Sequence, residues 1–203
     1  MQAAVRLDER RLVTGYLTQI PVAFQGEPGS FSSEAALAHF KSRAYLYPCS
    51  TFVAVCEAVV TGKCKYGVLP IANSQTGRMY DIEQLICYNS LAIQGMIDYP
   101  INHCFLCLPG QKLSDIVIVV SHPQALAQCS RYLESLNVQI IANGNTAASA
   151  KMIREKQLKG FAAVGSMSAA KYYALEVLAY AIHNTQNNTT RFVIVQRELQ
   201  RDF

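Results

Sequence analysis

The feature that most constrains the fold of this chain is a repeated alternation of short apolar runs with segments of helical periodicity. Residues 21–24, 66–71 and 116–120 are short apolar runs of the kind that form buried strands. Residues 51–60 instead repeat their apolar side chains at helical spacing. Strands that alternate with helices in this way predict an α/β fold with a largely parallel sheet. Further strands are expected at 91–96, 101–108, 139–142, 160–164 and 193–196, and helices at 32–40, 80–88, 123–136, 146–156 and 166–173.

Length and composition limit the class of protein. The 203 residues suffice for one domain or two small lobes, and 51% hydrophobic against 16% charged residues excludes a disordered chain. No apolar run approaches the roughly 20 residues needed to span a bilayer. Charged residues occupy positions 8–11, where a signal peptide would be apolar. We therefore expect a cytoplasmic protein that does not contact membranes.

Charge limits the possible binding partners, and cysteine content indicates the redox compartment. The net charge of +4 is spread thinly, without a Lys/Arg block, so nucleic acid is not expected as a partner. A small anionic substrate fits this balance. The seven cysteines lie mostly in apolar segments, which indicates buried free thiols in a reducing cytosol.

Several short motifs have a structural interpretation. Gly26–Gly29 predicts a tight turn before a helix, with anion binding as the alternative, and it lacks the lysine of a P-loop. Cys104 and Cys107 have no second pair, and in a strand they face opposite sides, so we expect no metal. His103 beside them is expected to be a core residue. A hydrolase is only weakly supported, since no nucleophile motif is present.

Two polar segments are stronger candidates for a binding site. Ser121 can cap a helix that begins at Pro123, and Gln124 and Gln128 then lie one turn apart on one face, as suits a polar ligand. Thr190 can donate and accept a hydrogen bond, and the neighbouring Arg191 could clamp a carboxylate. A structural ion pair is the alternative for Arg191.

Taken together, these segments resemble the catalytic domain of the prephenate dehydratase family over roughly residues 20–198. The matching pieces, in order, are Phe24-Gln-Gly-Glu-Pro-Gly-Ser-Phe-Ser32, Gly67-Val-Leu-Pro-Ile-Ala-Asn-Ser74, Asn102-His-Cys104, Ser121-His-Pro-Gln-Ala-Leu-Ala-Gln-Cys129, Asn145-Thr-Ala-Ala148, Ala163-Val-Gly-Ser166 and Asn188-Thr-Thr-Arg-Phe192. The Ser121–Cys129 and Thr190–Phe192 pieces are the specific ones.

The resemblance implies two Rossmann-like lobes that resemble type II periplasmic binding proteins, with the active-site cleft between them. Residues 1–19 would be an N-terminal arm, 20–99 plus 184–203 the first lobe, and 100–183 the second. The expected catalytic residues are Asn73, Ser121, Gln128 and Thr190. The expected substrate-binding residues are Ser32, Ser74, Arg78, Thr146, Arg191 and Phe192.

The chain also departs from the family pattern. Ala72 stands where the family has a glutamate, Arg78 and Met79 replace small residues, and His183 and Asn184 replace an Ile-Gln-Asp stretch. Most members of the family carry a C-terminal ACT domain that senses phenylalanine. Because this chain ends at Phe203, just after the last strand, we expect no such sensor.

The resemblance implies a lyase that acts on prephenate without metal or organic cofactor. The short chain and the altered residues Ala72, Arg78, His183 and Asn184 favour a prephenate decarboxylase of secondary metabolism, which forms a non-aromatic dihydro-4-hydroxyphenylpyruvate. The intact Thr190 favours the alternative, a prephenate dehydratase of phenylalanine biosynthesis. A non-catalytic module that binds an aromatic acid is a third, remote interpretation. Arogenate as substrate, and a homodimer, are left open.

Overall fold

In the computed structural model of the protein, residues 19–198 are described, and they form two lobes, each built on its own sheet. The predicted N-terminal arm lies outside the described residues, apart from residue 19. The first lobe contains β1 (Ile20–Gln25), α1 (Phe31–Phe40), β2 (Ala44–Cys49), α2 (Phe52–Val60), β3 (Tyr66–Asn73), β4 (Gly77–Arg78), α3 (Tyr80–Tyr88), β5 (Leu91–Pro100) and β11 (Thr189–Arg197). The second contains β6 (Cys104–Cys107), β7 (Ile118–Ser121), α4 (Pro123–Gln128), α5 (Ser130–Glu134), β8 (Gln139–Ala142), α6 (Thr146–Glu155), β9 (Phe161–Gly165), α7 (Met167–Tyr172) and β10 (Glu176–Ala179).

Both sheets are mixed. The strand order is β2-β1-β3-β11-β5 in the first lobe, with β4 paired to β3, and β10-β6-β9-β7-β8 in the second. β1 is parallel to β2 and β3, and β7 is parallel to β8 and β9, whereas the other pairs are antiparallel. The prediction of a largely parallel sheet was therefore wrong. Hydrophobic periodicity indicates which residues are buried, but it does not indicate the direction in which a strand runs. The direction of β11 could not be foreseen, because β11 enters the first sheet only after the chain has passed through the second lobe.

Helices cover both faces of the first sheet. On β1, β3 and β11, one set of buried side chains, Val22, Val68 and Ile194, packs against α1. The next residue along each strand, Ala23, Leu69 and Val195, belongs to the core beneath α2 and α3. This alternation is the period-two pattern of a sheet buried on both sides, which explains why these strands are apolar throughout.

The second sheet is built in the same way. Leu106 of β6 packs towards α6 and α7, and Phe105 packs towards α4 and α5. Cys104 and Cys107 lie in these two opposite cores, as the strand interpretation of the Cys-x-x-Cys motif requires. No group of three or more metal-ligating side chains occurs among residues 19–198.

Most helix boundaries lie within one residue of the sequence prediction, and the start of α1 and the interior of the helix predicted at 123–136 need comment. α1 begins at Phe31 and is capped by Ser30, whose hydroxyl accepts from the Ser33 backbone N–H at 3.3 Å. The helix expected at 123–136 is broken at Cys129 into α4 and α5.

The strands of the first sheet come from 20–100 and 189–197, and those of the second from 104–179. The predicted crossing points near Pro100 and His183 lie between these sets, while the limits of the lobes stay a prediction. Within the described part of the chain, no helix is both long enough and apolar enough to cross a membrane.

Candidate functional site

A cleft of about 320 Å³ lies where the two lobes meet. Asn73 and Thr190 line it from the first lobe, and His103, Gln128 and Thr146 line it from the second. These residues lie at or next to the ends of β3, β6, α4, α6 and β11, so both lobes contribute to the cleft.

Asn73 and Thr190 are held together by the sheet that carries them. They are register partners across β3 and β11, so their side chains leave the same face. Asn73 Nδ2 donates to Thr190 Oγ1 at 2.8 Å and to Asn188 Oδ1 at 2.8 Å, and Asn73 Oδ1 accepts from the Gln75 backbone N–H at 2.9 Å. Asn73 and Thr190 are buried at 5% and 7% exposure. The Thr190 hydroxyl thus accepts one hydrogen bond and keeps its own proton for another partner.

The network continues into the second lobe. Asn188 Nδ2 donates to Gln128 Oε1 at 3.0 Å, and His103 Nε2 lies 3.0 Å from the same oxygen. Burial lowers the pKa of His103 to about 4, because the imidazolium would lose its hydration. The imidazole is therefore neutral at pH 7. Asn188 and Gln128 join the lobes by a side-chain hydrogen bond beside the cleft.

Two buried polar atoms of this network have no hydrogen-bond partner among residues 19–198. They are Gln128 Nε2 and His103 Nδ1, both on residues that line the cleft. A buried amide N–H without a partner costs about 1–3 kcal/mol. Such atoms are expected where a ligand supplies the missing bond.

Helix N-termini contribute further polar residues to the wall. Ser32 lines the cleft at the start of α1, and Thr146 lines it at the start of α6. Asn145 caps α6 by accepting from the Ala148 backbone N–H at 2.6 Å. Phe192, two residues after Thr190 on β11, adds an apolar surface. Ser32, Thr146 and Phe192 thus line the cleft, and their contact with a substrate stays a prediction.

Ser121 and Ser74 have structural roles. Ser121 is fully buried and donates to the Val164 carbonyl at 2.7 Å, which ties β7 to β9. It does not line the cleft, and the cap of α4 is its neighbour His122, whose Nδ1 accepts from the Gln124 backbone N–H at 3.2 Å. Ser74 Oγ bridges the Asn187 carbonyl and the Thr189 N–H at 2.9 and 3.0 Å. Neither serine faces the space in which a substrate would lie.

The two arginines do not reach the cleft. Arg191 alternates with Thr190 along β11, so it leaves the opposite face, where Asp98 binds it through two hydrogen bonds of 2.7 and 2.8 Å. Arg78 is bound to Glu83 at 2.8 Å. Both arginine side chains are more than half exposed. The expectation that they clamp a substrate carboxylate is corrected to two exposed ion pairs.

The departures from the family pattern also lie outside the cleft, with one exception. Met79 lines it. Ala72 is the register partner of Arg191, and therefore faces away from Thr190. His183 and Asn184 line a separate hollow behind α5, where Asn184 donates to the Ala127 carbonyl.

The cleft has no formally charged wall. Among residues 19–198, its lining contains no Asp, Glu, Lys or Arg side chain. The Gly26–Gly29 turn connects the lobes: Ser166 donates to the Gly29 carbonyl at 2.6 Å, and Glu27 pairs with Lys151 at 3.0 Å. A ligand in the cleft would meet neutral donors and apolar surface.

The sequence motifs did not identify Asn188 as a site residue, and they assigned His103 to the core alone. Asn188 lies two residues before Thr190, a spacing that places both on one face of an extended chain. That signal was present in the Asn188–Phe192 motif. His103 is a core residue, as the sequence predicts, because it is only 2% exposed. Its ring also lines the cleft, which the sequence does not predict.

Comparison with known proteins agrees with this architecture. The family model described as prephenate dehydratase matches residues 22–200. Arogenate dehydratase/prephenate dehydratase 1 of Arabidopsis thaliana, a chloroplastic protein, is 38% identical over 181 residues, covering 89% of this chain and 46% of that protein. The bifunctional N-acyl-homoserine lactone acylase/prephenate dehydratase of Komagataeibacter europaeus is 35% identical over 176 residues, covering 87% of this chain and 62% of that protein.

Solved structures give the same result. The prephenate dehydratase of Arthrobacter aurescens in complex with L-Phe superposes with a TM-score of 0.81 at 27% identity, covering 89% of this chain and 61% of that one. The chain spans about half the length of the plant relatives it matches, 46% and 42% for the Arabidopsis protein and arogenate dehydratase 1 of Petunia hybrida. With a family model over residues 22–200 and a 38% identical relative, the chain belongs to the prephenate dehydratase family.

Proposed function

We propose that the cleft converts prephenate to phenylpyruvate, carbon dioxide and water. The observation that carries this proposal is the hydrogen bond from Asn73 Nδ2 to Thr190 Oγ1, because it leaves the Thr190 proton free to be donated into the cleft. The sequence departures that favoured another product, Ala72, Arg78, His183 and Asn184, lie outside the cleft lining.

The reaction needs one bond to break at each end of the ring. The bond between the ring and its carboxylate breaks, and its electron pair forms a new ring double bond as carbon dioxide leaves. The carbon–oxygen bond at the opposite ring position breaks, and the hydroxyl leaves with its electron pair, takes up a proton and becomes water. Hydroxide is a poor leaving group, so a hydrogen-bond donor at this oxygen lowers the barrier. Thr190 is our candidate for that donor.

The neutral cleft favours the first of these steps. A carboxylate enclosed by Phe31, Phe52, Met79 and Phe192 would lose hydration without gaining a cation, since no Lys or Arg lines the described cleft. Its charge spreads into the ring as carbon dioxide departs. An environment poor in water therefore stabilises the transition state relative to the bound carboxylate.

A prephenate decarboxylase of secondary metabolism, which leaves the ring non-aromatic, is the second candidate. It is favoured by one observation: no carboxyl group lines the described cleft to protonate a departing hydroxide. In that reaction the electrons released with carbon dioxide are quenched by a proton at a ring carbon, and the hydroxyl stays. Thr190 would then only hold the hydroxyl in place.

Arogenate is the alternative substrate, because several of the relatives are named arogenate dehydratases. It differs from prephenate by an amino group in place of the keto group of the side chain. Both compounds carry the ring carboxylate and the ring hydroxyl on which the proposed chemistry acts.

Product analysis tests the proposal. The protein is incubated with prephenate, and in parallel with arogenate, and the products are followed by the absorbance of the phenylpyruvate enolate and by mass spectrometry. We expect an aromatic product and one carbon dioxide per turnover. A non-aromatic acid that has lost only carbon dioxide would establish the second candidate, the decarboxylase. Binding of prephenate without turnover would instead support a non-catalytic binding module.

A variant series then assigns the role of Thr190. Removal of one acid or hydrogen-bond donor typically costs 10²–10⁴-fold, so Thr190→Ala should lower kcat by roughly that factor. Thr190→Ser keeps the hydroxyl and should retain most of the activity. The matched control is Thr189→Val, at a residue outside the cleft lining.

We also propose that the protein works in a reducing compartment such as the cytosol. All seven cysteines are free, and all but Cys87 are buried. Burial raises the pKa of the Cys56 and Cys107 thiols to about 11, which keeps them protonated and unreactive at pH 7.

A further inference from the structure

We propose that Asn188 and His103 are positioning residues that hold the Gln128 amide with Nε2 turned towards the substrate. The inference deepens the proposed function and rests on it for the identity of the substrate. The arrangement itself is a property of the free protein, and it follows from the direction of each hydrogen bond in the network.

The donor and acceptor of each hydrogen bond in the network follow from one backbone group that can only donate. The Gln75 N–H donates to Asn73 Oδ1 at 2.9 Å, so the Asn73 amide has one orientation. Its Nδ2 must then face Thr190 and Asn188. Because Nδ2 is a donor, the atom of Asn188 that it meets at 2.8 Å is the oxygen Oδ1.

The same argument fixes the orientation of the Gln128 amide in the second lobe. With its oxygen engaged by Asn73, Asn188 turns Nδ2 towards Gln128, where it donates to Oε1 at 3.0 Å. His103 Nε2 lies 3.0 Å from the same oxygen and must therefore carry a proton. The neutral imidazole is consequently the Nε2–H tautomer, with Nδ1 unprotonated.

The end of the network is the Nε2 of Gln128. A reversed Gln128 amide would place its donor against another donor, Asn188 Nδ2, so only one orientation is compatible with the network. In that orientation Nε2 is buried without a partner among residues 19–198, on a residue that lines the cleft. It is available to donate to an oxygen of the bound substrate.

The tautomer of His103 reports on this arrangement without any substrate. In ¹⁵N NMR spectra of the free protein at pH 7, we expect the chemical shifts of the Nε2–H tautomer. A carboxylate at position 188 accepts only, so Asn188→Asp should turn the Gln128 amide over, and His103 should change to the Nδ1–H tautomer. Asn187→Asp introduces the same charge one residue away on an exposed side chain and should change nothing.

Kinetics provide the second measurement. Because the reversed amide presents an oxygen instead of a donor, Asn188→Asp should lower kcat/KM by roughly 100-fold, the typical effect of losing one positioned donor. His103→Gln can still donate from the position of Nε2 and should retain much more activity than His103→Leu. A purely structural role predicts equal losses for these two variants at equal stability.

Several results would overturn the inference. One is an Nδ1–H tautomer in the unmodified protein, a measurement that needs no variant to fold. Another is a folded Asn188→Asp protein with an unchanged His103 tautomer. Failure of the proposed function is a separate result. The expected tautomers would be seen, but phenylpyruvate, the proposed product, would perturb neither His103 nor the Gln128 amide, and prephenate would not turn over.

Discussion

Ala72 on β3 lies directly opposite Arg191 on β11, on the face of the sheet that is turned away from Thr190. On its other side Ala72 is the register partner of Arg78 on β4. A glutamate at this position would therefore extend towards two arginines and not towards the proposed leaving group. Alanine in place of glutamate at position 72 therefore alters the sheet beside the cleft and does not remove an acid from the cleft lining.

This placement predicts the outcome of restoring the glutamate. Ala72→Glu should leave the product unchanged and keep kcat within about threefold, since the new carboxylate meets Arg191 and Arg78 at an exposed edge. Product analysis by mass spectrometry and steady-state kinetics measure this. Asn73→Asp is the comparison, because Asn73 faces the cleft, and there we expect a large loss. Conversion of a non-aromatic product into an aromatic one by Ala72→Glu would contradict the assignment.

Arg191 supplies a second prediction. Its partner Asp98 has a pKa held below its ordinary value, chiefly by the hydrogen bonds from the guanidinium. Because the pair is exposed, Arg191→Met and Asp98→Asn should each change kcat/KM by less than about threefold and lower the melting temperature only slightly. If Arg191 bound the substrate, KM would rise strongly for Arg191→Met and not for Asp98→Asn. Parallel kinetics of the two variants separate the cases.

The buried imidazole of His103 predicts a pH dependence of stability. Burial lowers its pKa from 6.5 to about 4 in the folded protein. Between these values the unfolded chain binds more protons, so the free energy of unfolding falls as the pH is lowered from 6.5 to 4, by roughly 3 kcal/mol from this group. Urea unfolding at a series of pH values should give a shallower dependence for His103→Gln. His122, whose pKa is also lowered by burial, is present in both proteins, so the difference isolates His103.

Gly29 provides a test of the contact between the lobes. It has φ +85°, and a Cβ added there would lie 2.7 Å from the Ala169 Cα of α7. Gly29→Ala should lower the free energy of unfolding by about 1–3 kcal/mol from backbone strain alone, and more from the clash, and should raise KM because the lobes must separate. Gly110→Ala is the matched control, with φ +81° and no atom within 4 Å of the added Cβ. Equal effects of both variants on stability and KM would show that the lobe contact contributes nothing.

Much of this fold could be read from the sequence, because the strands on which both cores rest are short apolar runs. β1, β3 and β7 were anticipated for that reason. β2 was missed, since only Cys49 among its residues is buried and the strand contains Pro48, and β10, which has no buried residue, was missed for the same reason. Strand direction was mistaken, because the apolar pattern of β11 would be the same whichever way the strand ran.

The candidate site was anticipated unevenly for a related reason. Motifs placed Asn73, Gln128 and Thr190 in one site, and the structure brings these three together. They do not tell which side chain faces inward, and a shift of one residue along a strand decides that. Arg191 and Ser121 are next to residues that line the cleft, and their side chains lie elsewhere. The role of Asn188 depends on a contact across 60 residues of chain, which no local pattern contains.

The hydrogen bond between Asn188 and Gln128 has a consequence for how a substrate enters. A motion that moves the lobes apart at this point separates the two amides, and water hydrates both while they are apart. Return to the closed arrangement has to expel that water before the hydrogen bond re-forms. Binding that proceeds through such a motion should be slower than diffusion allows, and its rate should then be set by removal of this water rather than by encounter.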